Sequence, residues 1–257
     1  MALNPFTDMD LAEMAHSYMG LKISEKHKQM FLNATQFVAV PNTKLNQPTS
    51  IDWRDQGAIG PVQDQKACGS CWAFSTTGAL EAHYFLKYNE SITLSEQNLI
   101  DCSTENSGCQ GGWMLSAYDY VRLNGGINPE SKYPYEAVDG PCRFQSDYIA
   151  ATCEGYNKIR ENDEQHLLEA VASVGPIAVA IAVNSNFMNY YIYDDPDCTD
   201  HVNHAVLVVG YGTENDQDYW LVRNSWSSEW GEGGYIKMTR NKDNQCAIAK
   251  YGSYPLV

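Results

Sequence analysis

The chain has 257 residues, of which 44% are hydrophobic and eight are cysteines, and its formal net charge is −15 at pH 7. This length suffices to bury a sizeable core, either as one large domain or as two closely joined lobes. The longest apolar runs, residues 176–183 and 205–209, fall far below the roughly 18 residues of a transmembrane helix. The strong negative charge argues against nucleic acid and anionic membranes as partners.

Residues 1–50 carry four lysines and four carboxylates, so the whole net charge belongs to the rest of the chain. Residues 1–47, called the leader below, contain no cysteine. The leader predicts a helix over residues 11–19 and an extended course over residues 30–45, which have no strong helix signal. The N-terminus lacks the basic and apolar segments of a secretory signal, so we expect any such signal to be removed or to lie upstream.

Helices dominate the next part of the sequence, and strands dominate the last part. Apolar residues repeat over residues 71–88 in a wide stripe, which predicts a central buried helix. Leu94-Ser95-Glu96-Gln97 supplies an N-cap for a second helix, and further helices are predicted over residues 116–123 and 164–174. Apolar strands are predicted over residues 177–183, 205–210, 219–222 and 235–238. Segregated helices and antiparallel strands indicate an α+β fold, and two unlike lobes leave a cleft between them.

Cys71 lies at the start of the predicted central helix, and Gln65 lies six residues upstream. Unpaired N–H groups and the partial positive charge at a helix N-terminus favour the thiolate and lower the thiol pKa. The sulfur is then a better nucleophile at mild pH, and the glutamine amide is suited to stabilise an oxyanion. This arrangement predicts covalent catalysis by Cys71.

Cys68-Gly69-Ser70-Cys71-Trp72, with Gln65 upstream, resembles the papain family of cysteine peptidases, near its cathepsin L branch. Later motifs resemble that family in order and spacing: Gly108-Cys109-Gln110-Gly111-Gly112, Asn203-His204-Ala205-Val206, Asn224-Ser225-Trp226 and Tyr254-Pro255-Leu256-Val257. The resemblance covers residues 48–257 and implies a papain-like two-lobe fold. It implies a helical left lobe over about residues 58–157 and an antiparallel β-barrel-like right lobe over about residues 158–247, with the active site in the cleft.

The leader resembles the C-terminal half of an inhibitory prosegment, because Asn4-Pro5-Phe6-Thr7-Asp8 is similar to a motif of such propeptides. The resemblance implies a zymogen whose short leader helix covers the cleft. It also implies that residues 30–45 lie in the cleft, backwards relative to substrate, and that maturation cleaves near residues 46–49 before Asp52-Trp53. The alternative is an ordinary N-terminal linker.

The resemblance also implies a base and an orienting group for Cys71. Six histidines compete for the role of base, and His204, directly before a predicted strand, matches the family motif. Asn224 matches the residue that orients the imidazole, and Trp226 is expected to shield their hydrogen bond from water. The Gln65 amide and the Cys71 backbone N–H are the expected oxyanion donors. Ser227 departs from the family pattern, which usually has a glycine at this position.

Substrate binding is also expected from the resemblance. Glycines without side chains allow an extended peptide to approach and pair as an added strand. The pocket for the second residue before the scissile bond is expected to have apolar walls and Tyr251 as its floor, so aliphatic side chains should be preferred over bulky aromatic ones. The alternative is that Tyr251 packs between the lobes and leaves the floor open. The expected binding residues are Gly69, Gly111, Gly112, Trp113, Met114, Ala180, Val202, Asn203, Trp226 and Tyr251.

Eight cysteines indicate an oxidising compartment, but they allow too many pairings for the sequence alone to choose between them. The resemblance implies the disulfides Cys68–Cys109, Cys102–Cys142 and Cys198–Cys246, with Cys71 and Cys153 free. The expected location is lysosomal, endosomal or extracellular. The sequons Asn33-Ala34-Thr35 and Asn89-Glu90-Ser91 are compatible with a glycoprotein of the secretory pathway.

The predicted function is hydrolysis of peptide bonds by a monomeric cysteine endopeptidase that needs no metal or cofactor. Its expected partners are polypeptide substrates, its own propeptide and cystatin-like inhibitors. Two rival interpretations of Cys68-x-x-Cys71 are a thioredoxin-like redox pair and, with His201-x-x-His204, half of a zinc site. A third is a catalytically silent homologue that acts as a binding or structural protein, and titration with a thiol-reactive peptide epoxide discriminates it from an enzyme.

Overall fold

The structure is a computed structural model, and it describes residues 13, 17–38, 47–188 and 192–257. Within these ranges the α-helices are α1 (Glu25–Asn33), α2 (Cys71–Tyr88), α3 (Glu96–Cys102), α4 (Met114–Asn124) and α5 (Glu164–Ser173). The strands are β1 (Thr35–Gln36), β2 (Ile51–Asp52), β3 (Gly155–Lys158), β4 (Ile177–Ile181), β5 (His204–Glu214), β6 (Gln217–Arg223), β7 (Tyr235–Thr239) and β8 (Gly252–Leu256).

Helix α2 is the predicted central helix, with the predicted bounds. Its first thirteen residues are all buried, so this part of the helix is buried around its whole circumference and not only along the apolar stripe. Its buried hydroxyl groups are hydrogen-bonded: Thr76 donates to the Trp72 carbonyl of the same helix, and Ser75 donates to the Val206 carbonyl of β5. The helix ends at Asn89, whose φ of 55° is left-handed. Cys71 therefore lies at the beginning of the buried part of this helix.

The other predicted helices are also present. Helix α3 begins after Ser95, whose hydroxyl accepts the Asn98 N–H at 2.9 Å as the N-cap signal predicts. Helix α4 begins two residues earlier and ends one residue later than predicted, and Gly125 with a φ of 80° terminates it. Helix α5 follows Asp163, which caps the His166 N–H, and ends one residue before the predicted limit.

The strands form one sheet in the order β1-β3-β8-β4-β5-β6-β7, with β2 paired to β5. All strand pairs are antiparallel except β1 with β3, which is parallel. The α+β class is confirmed. The expected barrel-like closure is not found, because no pairing among the described residues joins β1 to β7, and a leader strand extends the sheet at its β3 edge instead.

Strand β5 connects the two apolar cores of the molecule. Its side chains alternate: Val206 and Val208 belong to the core between the sheet and α5, whereas Ala205, Leu207 and Val209 belong to the core with α2 and α4. The strand therefore lies where the two cores meet, and its first residue, His204, comes beside the start of α2. The lobe boundaries at about residues 58, 157 and 247 stay predictions.

The leader differs from its prediction. Residues 30–33 belong to helix α1, although an extended course was expected for residues 30–45. Ser24 and His27 form a capping box, in which the Ser24 hydroxyl accepts the His27 N–H and the imidazole accepts the Ser24 N–H. Residues 11–19 and the motif at residues 4–8 fall mainly or wholly outside the described residues, as do residues 39–46.

The three disulfides are those that the family resemblance implies: Cys68–Cys109, Cys102–Cys142 and Cys198–Cys246. Cys71 and Cys153 are free and buried. Among the described helices, none has both the length and the apolar character needed to cross a bilayer.

Candidate active site

Cys71 is fully buried at the first position of α2. Its Sγ accepts two backbone N–H groups, one from Ala205 of β5 at 3.4 Å and one from Gly20 of the leader at 3.3 Å. The Ala205 contact brings the thiol next to His204, the preceding residue. The Gly20 contact shows that the leader covers the sulfur from the solvent side.

Burial controls the protonation of the covered thiol and of His204. It raises the pKa of Cys71 to about 11, against the opposing effect of the N–H donors, and it lowers the pKa of His204 to about 4. The position of Cys71 at a helix N-terminus predicted a lowered thiol pKa. The expectation fails here because Gly20 and its neighbours exclude water, and the loss of hydration outweighs the helix N-terminus. In this covered form both groups are neutral near pH 7.

His204 is held by an amide and an indole. Its Nε2 is 2.8 Å from the Asn224 Oδ1, and the Trp226 ring lies over the imidazole with centroids 4.7 Å apart. The His204 Nδ1 is buried with no hydrogen-bond partner among the described residues. An imidazole that donates from Nε2 to the amide oxygen has a neutral, unprotonated Nδ1 available for the thiol proton.

Gln65 is the third expected catalytic group, and its side chain is fully buried. Its Nε2 donates to the Cys68 carbonyl at 2.8 Å and to the carbonyl of Tyr18 in the leader at 3.0 Å. Its Oε1 accepts the Ser225 hydroxyl at 2.6 Å. Sequence reasoning missed Ser225 as the residue that orients this amide, although it lies inside the Asn224-Ser225-Trp226 motif.

The leader pairs with the expected peptide-binding backbone. The Gly112 N–H donates to the Gly20 carbonyl at 2.8 Å, and the Lys22 N–H donates to the Gly112 carbonyl at 3.0 Å. This pattern is a parallel bridge between Leu21 and Gly112. The Leu21 N–H also donates to the Asn203 carbonyl at 3.2 Å. Residues 20–22 therefore occupy the cleft, and the prediction that residues 30–45 occupy it is wrong for the described part, residues 30–38.

A glycine is required where the leader crosses the site. A Cβ on Gly20 would lie 1.7 Å from the Gly69 carbonyl oxygen, and a Cβ on Gly111 would lie 2.6 Å from the Gly20 carbonyl oxygen. Gly69 is itself held by its N–H, which donates to the Cys109 carbonyl at 2.9 Å. Close approach of two backbones thus explains the glycines at positions 20, 69 and 111.

The expected pocket residues share one apolar core with Leu21. Trp113, Met114, Ala180 and Tyr251 are buried, and Val202 packs against the same core. The Tyr251 ring meets Trp113 edge-on at 5.6 Å between centroids and meets Phe31 of α1 edge-on at 5.1 Å. His27 of α1 stacks on Trp113 at 6.0 Å. The leader helix, which sequence reasoning did not find, therefore covers this pocket.

Ser227, the departure from the family pattern, has a φ of 71°. A Cβ in this left-handed region costs about 1–2 kcal/mol, whereas glycine loses about 0.5–1 kcal/mol more chain entropy on folding. We therefore expect Ser227→Gly to have a free energy of unfolding about 1 kcal/mol above that of Ser227→Ala. The alanine variant is the matched control, because both variants remove the hydroxyl that accepts the Glu229 N–H. Urea unfolding measures the difference, and equal stability would contradict a strained Cβ.

Within the described ranges, no group of three or more histidine, cysteine, aspartate or glutamate residues could hold a metal ion.

The comparisons with known proteins agree with the geometry. The model of the papain family cysteine protease matches residues 47–256. Digestive cysteine proteinase 2 of Homarus americanus is 48% identical over 264 aligned residues, which cover 100% of this chain and 80% of that protein. Cathepsin L1 of Drosophila melanogaster is 46% identical over 269 residues, which cover 100% of this chain and 72% of that protein.

The solved structure of digestive procathepsin L2 proteinase from the larval midgut of Tenebrio molitor is also similar, with a TM-score of 0.91 and 42% identity. The match covers 99% of this chain and 83% of that one. These matches span the leader as well as the cysteine-rich body. The chain therefore belongs to the papain family of cysteine proteases, and it is cathepsin L-like.

Proposed function

We propose that this chain is the zymogen of a cysteine endopeptidase in which Cys71 is the nucleophile and His204 is the general acid and base. Asn224 orients the imidazole, and the Gln65 amide with the Cys71 N–H stabilises the oxyanion. The observation that carries the proposal is that these groups lie together at the start of α2, where Cys71 is. The thiol contacts the N–H next to His204, whose Nε2 is 2.8 Å from Asn224, and the Gln65 amide reaches the turn just before Cys71.

The reaction follows from these positions. Once the cleft is open to water, the thiol proton moves to the His204 Nδ1, and the thiolate attacks the substrate carbonyl carbon. The two oxyanion donors stabilise the tetrahedral intermediate. The C–N bond then breaks, the imidazolium gives its proton to the leaving amine, and a thioester remains on Cys71. Water attacks the thioester with His204 as base, which releases the acid and restores the thiol.

The prosegment keeps this chemistry silent in three ways. It excludes water, so the charged thiolate and imidazolium are disfavoured, in accord with the raised pKa of Cys71 and the lowered pKa of His204. It also offers the sulfur an N–H of Gly20 rather than a carbonyl carbon. In addition, the Gln65 amide donates a hydrogen bond to the Tyr18 carbonyl in place of an oxyanion.

The direction of the prosegment fits an inhibitor that is not cut. The chain passes Cys71 at Gly20 and reaches the pocket of Trp113 and Tyr251 afterwards, at Leu21. A substrate whose pocket residue precedes the scissile bond would run the other way. The same placement favours an aliphatic residue in that pocket, because the prosegment itself supplies a leucine there. Disfavour for bulky aromatic side chains stays a prediction, since Tyr251 contacts Phe31 in the covered form.

Maturation is proposed near residues 46–49. From Ile51 onward the chain is tied to the body, because β2 pairs with β5, the Trp53 N–H donates to the Val209 carbonyl, and the Trp53 indole donates to the Val171 carbonyl. Cleavage beyond this point would separate the body from residues whose backbone is hydrogen-bonded to it.

The cystatin-like inhibitors, the monomeric state, glycosylation and the lysosomal or secreted location are proposals that rest on the family resemblance.

Two rival interpretations, the thioredoxin-like redox pair and the zinc site, fit the structure less well. Cys68 is bonded to Cys109, so it is not available as the redox partner of Cys71. His204 is hydrogen-bonded to Asn224, and the described residues contain no metal-binding cluster. The catalytically silent homologue remains the alternative.

Acid maturation tests the proposal. Incubation at about pH 4 to 5, where carboxylates and histidines titrate, should release a mature N-terminus between residues 46 and 49. The product should hydrolyse a fluorogenic leucine peptide, and a peptide epoxide should label Cys71 in proportion to the activity lost. A mature N-terminus within residues 52–63 would contradict the maturation site. A matured, folded product that neither turns over peptide nor reacts with the epoxide would establish the silent homologue.

A further inference from the structure

We propose that Tyr135 is a positioning residue of the proposed peptidase reaction: its hydroxyl holds together the two chain segments that carry the oxyanion donors. The Tyr135 hydroxyl donates to the Gln65 carbonyl at 2.6 Å and lies 2.8 Å from the Ser70 hydroxyl. A phenol carries one hydrogen, so with that hydrogen on the Gln65 carbonyl it accepts from Ser70. One group thus bonds to both ends of the segment 65–70. This inference rests on the proposed function.

Both ends matter for the oxyanion. Gln65 supplies the side-chain donor, and Ser70 directly precedes Cys71, whose backbone N–H is the other donor. The stretch between them has no regular secondary structure and turns sharply, with Lys66 at a φ of 51° and short-range bonds from the Cys68 N–H to the Lys66 carbonyl and from the Ser70 N–H to the Cys68 carbonyl. Its shape therefore depends on groups outside it.

Tyr135 is a fixed point from which to hold that stretch. Its ring packs edge-on against Phe74 of α2 at 5.0 Å between centroids, and its backbone N–H donates to the Glu130 carboxylate at 2.8 Å. The other external supports act on the middle of the stretch or on one end of it. The Cys68–Cys109 disulfide and the Gly69 N–H bond to Cys109 hold the middle, and Ser225 bonds to the Gln65 end. Only the tyrosine hydroxyl, among the described contacts, joins its two ends.

The expected effect is on catalysis rather than on binding. Loss of one oxyanion donor costs about 100- to 1000-fold in rate, and a displacement of about 1 Å costs on the order of 100-fold. The Tyr135 hydroxyl only limits how far the two oxyanion donors can move apart, so its loss should lower the rate less than loss of a donor does. We expect Tyr135→Phe to lower kcat by about tenfold. KM should change little, because Tyr135 does not belong to the pocket of Trp113 and Tyr251.

The experiment uses mature enzyme obtained from the full chain. Tyr135→Phe is compared with Tyr133→Phe, a matched control that removes a hydroxyl bonded to Asp101 and to the Arg143 N–H, outside the segment 65–70. kcat and KM are measured for one fluorogenic peptide, and the rate of Cys71 alkylation by iodoacetamide is measured in parallel. Alkylation needs the thiolate but no oxyanion donor. The Tyr135→Phe change is then repeated in a Gln65→Ala background.

The proposal requires a tenfold lower kcat for Tyr135→Phe, an unchanged KM and alkylation rate, and a much smaller effect in the Gln65→Ala background. Ser70→Ala, which removes the other partner of the phenol, should change kcat in the same direction and serves if Tyr135→Phe does not mature. The proposal is overturned if kcat stays within about twofold of the unaltered enzyme, if alkylation slows equally, or if the two changes multiply. Failure of the proposed function is distinct, because the unaltered enzyme would then show no turnover.

Discussion

Replacing Cys71 with alanine is expected to lower kcat for peptide hydrolysis by about 10⁴-fold or more, because no thioester can form without the sulfur. The remaining oxyanion donors and the histidine would support only a trace rate by direct attack of water. Cys71 is fully buried and, within the part of the chain that the structure describes, its sulfur accepts weak bonds from two backbone N–H groups, so alanine should leave the fold intact.

The matched control for that change is Cys153→Ala. Cys153 is the other free cysteine, it is also buried, and its thiol donates to the Gly155 carbonyl at 3.0 Å, away from the cleft. This variant should mature and keep kcat near that of the unaltered enzyme. Activity is followed with a fluorogenic peptide after processing by a small amount of active enzyme, which is then removed. A folded Cys71→Ala enzyme with more than trace activity would show that another group is the nucleophile.

The central helix and the first residues of β5 could be predicted from the sequence because their patterns are local. An apolar stripe over residues 71–88 and an apolar run over residues 205–209 each specify an element, and the site follows from where those elements begin. The disulfides are different in kind. Nothing local distinguishes the partner of Cys68 from that of Cys102, so these pairs were available only through the family resemblance.

Helix α1 was missed because its stability is tertiary. Its nine residues are too few to form a stable helix alone, and their apolar content is low. Its anchor is Phe31, which is buried against Tyr251, a contact between residues far apart in the sequence. The Ser24–His27 capping box was the one local signal, and histidine is not the usual third residue of that motif.

Ser225 and Tyr135 were missed for a related reason. The hydroxyl of each is hydrogen-bonded to Gln65, across 160 and 70 residues respectively, and the periodicity of a sequence does not indicate such a bond. The prediction of a lowered thiol pKa was wrong for the covered form, because the sequence shows the helix N-terminus but not the leader that covers it. The same sulfur is expected to be reactive once that cover is removed.

The second large effect concerns Glu96, which is fully buried and hydrogen-bonded to Thr77 of α2. Burial raises its pKa to about 8, and the neighbouring carboxylates of Glu81 and Glu130 add to this increase. Burial also raises the pKa of Glu81, although Arg223 opposes the increase there. Geometry agrees with a protonated Glu96. The Thr77 hydroxyl is 2.7 Å from the Glu96 Oε1 and within 3.2 Å of two helix carbonyls, yet it has one hydrogen to give.

A raised pKa in the folded state has a definite sign. Between about pH 4.5, where an unfolded glutamate titrates, and about pH 8, the folded chain binds more protons than the unfolded chain. At acid pH a protonated Glu96 therefore contributes stability to the folded chain. This contribution is lost as the pH rises from about 4.5 through about 8. Buried His83, with a pKa lowered to about 4, acts in the opposite sense below pH 6.5, so the total stability curve alone does not isolate Glu96.

The Glu96→Gln variant isolates the contribution of Glu96 to the pH dependence of stability, because an amide mimics the protonated acid and can donate to the Thr77 hydroxyl. The free energy of unfolding of Glu96→Gln relative to the parent should rise between about pH 5 and pH 8 by at least about 1.4 kcal/mol, the equivalent of one pKa unit. Urea unfolding at both pH values measures this in a Cys71→Ala background, which prevents self-digestion. Glu154→Gln, at an exposed position, is the control and should show the same difference at both pH values. If Glu96→Gln changed stability equally at both pH values, the carboxyl would be ionised in the folded chain throughout, and the Thr77 hydroxyl would donate its hydrogen to the Glu96 Oε1 instead of accepting one from it.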